Sequence, residues 1–360
     1  MITGVTLPEL AARIKREKGE KRDFIAPTTM LDFQPSGDRG TIAFRPNGDS
    51  VLTEPTEHCL AQICQRSRIP KDYVDRMRQG NLDLLATNIN HWWQRKPEKR
   101  MLRTLVNGDN RARAFVSERY RPLDNFDLAE VVLPRLADVG CTVLSSQITE
   151  TRLYIQAATP KMELDLNKLK VSGIKLNELD PVQAGVVISN SEVGCGSLRV
   201  EEMLYRLTCF NGMITGYGKK RYHVGKGRTE FAELEEAAEY FTDATRQLDD
   251  RAFWSKVGDV VNSVFDLGRF TNLAQKFADT ATLRLTNPTD AVDKVVEKFQ
   301  LSERESKGVL DNLIAGGDNS LFGLVNAVTR TAEESESYDR AIELERMGGQ
   351  IIELPQQTWN

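Results

Sequence analysis

The apolar residues change their spacing near residue 229, and that change limits the chain to a sheet-containing part followed by a helical one. Downstream, Phe231, Leu234, Ala238, Phe241, Thr245 and Leu248 recur at intervals of three and four, with Glu233, Glu235, Glu236 and Glu239 opposite them. This spacing describes an amphipathic helix with a solvated acidic face. Helical spacing continues over 254–267, from Asn287-Pro288 through Phe299, and after the capping-box spelling Ser302-Glu303-Arg304-Glu305. A last helix is expected over 321–346, ended by Gly348-Gly349.

Upstream the pattern is that of strands and turns. MLRTLV (101–106) and RARAFV (111–116) flank Asn107-Gly108-Asp109-Asn110, a hairpin signal. The helical run FDLAEVVLPRLADV follows, capped by Asp124 or Asn125, and TVLSSQI and RLYIQA form a second hairpin about 149–151. Hairpin, helix, hairpin predicts an antiparallel sheet with a helix across one face. QAGVVISNS adds a strand that runs into the glycine loop Gly194-Cys195-Gly196. Residues 1–100 read as a small mixed module, with a PNGD turn at 46–49 and helices over 7–18, after Pro55, after Pro70 and over 82–93. The expected fold class is α+β: a mixed module (1–100), an antiparallel core with hairpin-helix-hairpin order (101–228) and an all-helical domain (229–360).

Composition excludes several classes. At 360 residues, 40% hydrophobic and 28% charged, the chain is long enough to bury a large core. It lacks an apolar run of the roughly 18 residues that a membrane span needs. Its first 22 residues are polar and amphipathic, unlike a secretory leader, so a cytoplasmic protein is expected. The five cysteines (59, 64, 141, 195, 209) have neither disulfide-framework nor zinc-site spacing, and Cys59 and Cys64 read as small core residues. No metal, cofactor or catalytic set is expected.

Two basic segments stand out against a net charge of −4. Between Gly216 and Arg228 lie Lys219, Lys220, Arg221, Lys226 and Arg228, interleaved with Tyr217 and Tyr222 and with no acid. Cations without counter-charges, between glycines that let a backbone approach, suit a sugar-phosphate strand, and the tyrosines suit stacking on bases. The bland alternative is a solvated hairpin tip. Between Trp92 and Arg121, nine Lys/Arg face three acids. Strand alternation puts Arg111 and Arg113 on one face, and Arg103 joins them if register allows. Trp92 and Trp93 are adjacent on a helix, so only one can face the core fully. Here the alternative is a solvated face paired with the acidic helices. The SNSEVGCGS loop lacks the lysine of a phosphate-binding loop and reads as a tight strand connection. Cys209, near Asn211 and His223, sits in an apolar run and reads as a buried, inert thiol.

Four phrases in order, LAQICQRSRIPKDYVDRM (60–77), ARAFVSERYRPLDN (112–125), SNSEVGCGSLRV (189–200) and YRLTCFNGMI (205–214), carry a resemblance. The chain resembles, over roughly 55–345, a phage- and plasmid-borne family known as domain of unknown function 932. The resemblance implies a mobile-element protein near DNA replication, recombination or host takeover, and it brings no catalytic residues with it. The expected function is an accessory role in DNA metabolism: binding nucleic acid, foremost single-stranded DNA, through Arg103, Arg111, Arg113, Tyr217, Lys219, Lys220, Arg221, Tyr222, Lys226 and Arg228. Strand annealing, a concrete version, requires a homo-oligomer. The alternatives are a host-takeover or counter-defence protein acting through protein contacts, and a nucleic-acid enzyme.

Overall fold

The computed structural model describes residues 4–45, 51–106, 108, 110–169, 181–207, 211–215 and 243–359. It contains antiparallel sheets in the N-terminal half and an all-helical C-terminal region, an α+β fold. The PNGD turn, Cys209 and residues 216–242, including the basic glycine-rich segment, lie outside the described residues.

The first sheet has six strands: β1 (Lys21–Pro27), β2 (Leu31–Gln34), β3 (Thr41–Phe44), β4 (Val51–Pro55), β5 (Lys99–Leu105) and β6 (Arg111–Ser117). Their order is β1-β5-β6-β4-β3-β2, antiparallel except for the β4/β6 pair. Helices α2 (Glu57–Arg66), α3 (Lys71–Gly80) and α4 (Leu82–Arg95) cover one face. Their apolar stripes, with Leu60, Ile63, Leu85, Ile89 and Trp93 at helical spacing, meet Phe33, Ile42, Leu102 and Phe115 of the strands. Thr56 caps α2 by accepting the Cys59 N–H, and Asn81 caps α4 by accepting that of Leu84.

The second sheet has the order β11-β10-β9-β8-β7, all antiparallel: β7 (Thr142–Ile148), β8 (Leu153–Asp165), β9 (Pro181–Asn190), β10 (Arg199–Arg206) and β11 (Gly212–Ile214). The two hairpins expected to share one sheet are both present, but they enter different sheets. Long-range pairing decides this. β5 is zipped to β1, so that Asp23 stands opposite Arg103, and β6 is flanked by β4. The sequence division at residue 100 therefore falls inside β5. α1 (Leu7–Glu20), opened by a Thr6–Glu9 capping box, crosses to the second sheet instead of staying with the first module.

Strand β9 is apolar almost throughout because both faces of the second sheet are covered. Ile155, Ala157, Val186, Ile188 and Val200 pack under α1, α5 (Asn125–Val139) and α6 (Asp243–Val264). Tyr154, Val187, Met203 and Ile214, on the other face, pack under Tyr338 and Ile342 of α11 (Tyr338–Ile352). Between these helices in the chain, α7 (Leu267–Asp279), α8 (Pro288–Phe299), α9 (Glu303–Gly316) and α10 (Leu321–Thr331) pack around Phe277, Val295, Leu324 and Val328 in a core that also takes in Val182, Ala184 and Leu204 of the second sheet and Leu344 of α11. No helix among the described residues is long and apolar enough to cross a membrane.

The single helix expected over 321–346 is two, α10 and α11, with Ser337 starting the second by accepting the Arg340 N–H. Gly348 and Gly349 do not end it. They lie inside α11, where a Cβ on Gly349 would stand 2.0 Å from the Ile214 carbonyl oxygen, so glycine permits the helix to press on β11.

Under α11 runs a buried polar chain. Tyr338 Oη bonds Ser145 Oγ (2.8 Å) and donates to Gln156 Oε1 (3.1 Å), while Gln156 Nε2 donates to Glu345 Oε2 (2.6 Å). Burial pushes the Glu345 carboxyl up to about 7. A raised folded value means a contribution that is complete below about 4.5 and fades as pH rises through about 7. Glu345→Gln is therefore expected to stabilise the protein at pH 8, by up to about 3 kcal/mol, and to change little at pH 5. Thermal melts at the two pH values check this.

Candidate nucleic-acid interface

The hairpin arginines were expected to meet phosphate, and the structure places two of them elsewhere. Arg103 is 1% exposed. Its guanidinium donates to Asp23 (3.0 Å), Asp124 Oδ1 (2.9 Å) and the Glu192 carbonyl (2.6 Å). Arg113, half-buried, donates to Glu192 Oε2 at 2.7 Å. Lys21 pairs with the other Glu192 oxygen, which also accepts the Asn125 N–H (2.6 Å), and with Asp124 at 3.4 Å. Three cations and three carboxylates thus tie the first sheet to the glycine loop and to the start of α5. Burial works against the Glu192 charge, but Arg113 and Lys21 outweigh it and hold the carboxyl down at about 2. Arg103 and Arg113 are structural; their counter-charges come from the protein itself. Arg111 stands exposed at the start of β6. Tyr217, Lys219, Lys220, Arg221, Tyr222, Lys226 and Arg228 lie outside the described residues.

Other residues of the second basic segment do line a groove. Trp93 is buried against Phe115 (ring centroids 5.9 Å, stacked) and Phe33 (6.3 Å, edge-on), which turns Trp92 outward at 36% exposure. His91 packs edge-on to the Trp92 ring at 5.6 Å, and Lys96, one turn on, sets its Nζ 5.7 Å from the ring centroid. Beside this ring is a depression of about 320 Å³ where Arg66, Arg68, Lys96 and Arg100 face one carboxylate, Glu98. Glu98 is held by a two-pronged bond from Arg66 (2.9 and 2.8 Å) and by Arg100. Arg68 and Lys96 are exposed and form no ion pair among the described residues.

Arg68 stands in an unusual place. It follows the Ser67 C-cap of α2 in the left-handed conformation, φ +56°. Its N–H bonds the Gln65 carbonyl (3.1 Å), and that of Ile69 bonds Cys64 (2.8 Å). This is the helix ending in which glycine is preferred, because a side chain there costs about 1 kcal/mol.

The depression continues along Arg66, Arg100 and Phe115 to Tyr120 and Gly194, and then to Arg121, Ser191, Gly196 and Ser197. Tyr120 Oη accepts the Gly194 N–H (3.1 Å) and donates to the Ser191 carbonyl (3.2 Å), fixing the glycine loop as one wall. That loop, read as a plain turn, also carries Glu192 of the charge cluster. At the far end Arg121 pairs with Asp249 (2.7 Å) and Asp250 near the start of α6. The chain re-enters the described part there, 15 residues after Arg228.

Cys59, Cys64 and His58 have structural surroundings, and Cys209 and His223 lie outside the described residues. Cys59 and Cys64 are buried, and burial raises both thiols, Cys64 to about 12. His58 Nε2 lies 3.0 Å from the Val193 carbonyl and 2.9 Å from Gln62 Nε2. Among the described residues no three His, Cys, Asp or Glu side chains gather as metal ligands. No protein-family model matches the chain, and no curated protein or solved structure matches it significantly.

Proposed function

We propose that the protein binds single-stranded nucleic acid along the groove from Trp92 to Arg121, as an accessory factor in the DNA metabolism of a phage or plasmid. The observation that carries the binding reading is the exposed Trp92, braced by His91 and Lys96 beside Arg66, Arg68 and Arg100. A braced aromatic face stacks a base with little ordering cost, and a row of cations tracks the backbone without reading sequence. The resemblance to a mobile-element family supplies the DNA-metabolism part, with a cytoplasmic setting. The basic segment 217–228 would add phosphate contacts. Annealing of strands would add assembly into a homo-oligomer.

Fluorescence anisotropy with a labelled thymidine oligonucleotide and its duplex, at about 50 mM salt, tests the reading. Tighter binding of the single strand, weakening linearly on a log–log salt plot, is expected; binding to neither at that ionic strength excludes it.

Arg68 gives a test that separates binding from folding. A left-handed arginine kept at a helix end is a strain that contact with a ligand would offset. Arg68→Gly is expected to hold or raise the melting temperature while weakening oligonucleotide affinity about fivefold and lowering the salt slope by roughly 0.7. A solely structural Arg68 would leave affinity and slope unchanged.

A further inference from the structure

The cavity between α11 and the second sheet, on the other side of the glycine loop, has no part in the groove. It is about 540 Å³, in the size range of small-molecule sites. One wall is the sheet face that carries Arg152, Tyr154, Arg199 and Glu201; the other is the sheet-facing flank of α11, with Asp339 and Arg346. Most of these groups are locked. Tyr154 Oη donates to Asp339 Oδ1 (2.7 Å), and Arg346 forks onto Glu201 (3.0 and 2.6 Å). Arg152 is held by the Cys195 carbonyl through Nη2, while its Nη1 is buried with no hydrogen-bond partner among the described residues.

The loop is shaped around this guanidinium. Gly196 has φ +130°, and a Cβ there would lie 2.0 Å from Arg152 Nη2. A fixed arginine with a donor left over, in a cavity with carboxylates at fixed positions, has the layout of a site for a small oxyanion that also carries hydroxyls. The apolar part of the wall, Phe299 and Met347, suits a flat ring.

We infer that this cavity binds a phosphorylated small molecule no larger than a mononucleotide, with its phosphate on Arg152 and its hydroxyls on Glu201 and Asp339. The site stands apart from the nucleic-acid reading and holds whether or not the groove binds a strand.

Calorimetric titration of the full chain with 5′-mononucleotides, the matching nucleosides and inorganic phosphate tests it. Mononucleotides are expected to bind at least tenfold more tightly than nucleosides, and Arg152→Gln to lose at least tenfold. Trp92→Ala is expected to leave the affinity unchanged; a loss there would mean that mononucleotides sit in the groove, and would overturn the assignment. Half-buried Cys195 lines the same cavity and reports on the wild-type chain without a variant. Saturating mononucleotide is expected to slow its alkylation, followed by peptide mass mapping, at least fivefold. Nucleosides binding as well as mononucleotides, no binding at millimolar concentration, or unprotected Cys195 would each overturn the inference.

Discussion

Glu192→Gln is expected to cost on the order of 3–5 kcal/mol of stability, the range found when one partner of a buried ion pair is removed. The substitution keeps the shape of the side chain and removes its charge. Lys21 and Arg113 then lose the carboxylate that both address, while Arg103 keeps its own partners, Asp23, Asp124 and the Glu192 backbone carbonyl. The damage falls where the first sheet, the glycine loop and the start of α5 meet, so the melting temperature is expected to drop by roughly 5–15 °C.

The pH dependence has a defined sign. The folded value for Glu192, about 2, lies below its ordinary value of 4.5, so its contribution is complete above about 4.5 and is lost as pH falls through about 2. Wild-type melts should therefore steepen in their decline over that window, and Glu192→Gln melts should lack that part of the decline. Equal melting temperatures for the two proteins at pH 7 would show that the cluster does not hold the sheets together. The prediction for Glu345→Gln has the opposite sign, because there burial outweighs the Gln156 hydrogen bond and the nearby Arg346 charge and raises the carboxyl instead of lowering it.

Trp92→Ala carries the second large effect. Stacking on an aromatic platform contributes about 1–3 kcal/mol per base, so affinity for a single strand is expected to fall between about fivefold and 150-fold. Trp92 is exposed and outside the core built by Trp93, so the melting temperature should move by little. Lys96→Ala is expected to act through charge instead: a smaller loss, largest at low salt and vanishing as salt rises. A matching loss for duplex and single strand in Trp92→Ala would point to a non-stacking role for the ring.

How much of this was legible before the structure differs by element. The 3.6 period downstream of residue 254, the Pro288 and Ser302 helix starts and both hairpins are local signals, and each is present, whereas the helical spacing over 231–242 lies outside the described residues. The split between Trp92 and Trp93 followed from helix geometry alone. Strand partners were not legible, because β1 reaches β5 across 80 residues at Asp23–Arg103, and no local pattern marks that choice. The same gap explains the misreading of Arg103 and Arg113. An arginine on a strand looks alike in sequence whether water or a carboxylate from residues 23, 124 or 192 neutralises it. One signal was present: an acid, Glu192, set two residues after an apolar strand and two before a glycine, is costly unless cations await it. Gly348-Gly349 misled because helix-ending glycines and glycines that admit a neighbouring strand share one spelling. The strain at Arg68 is invisible in RSRIP without φ.

The central claim is that Trp92 and its neighbouring cations form the strand-binding surface. It is tested most directly by anisotropy titration of wild type and Trp92→Ala against one labelled single-stranded oligonucleotide, at matched low salt and with melts of both proteins alongside. The account predicts saturable wild-type binding and a loss of at least about fivefold for the folded variant. Equal affinities for two proteins of equal melting temperature would contradict it.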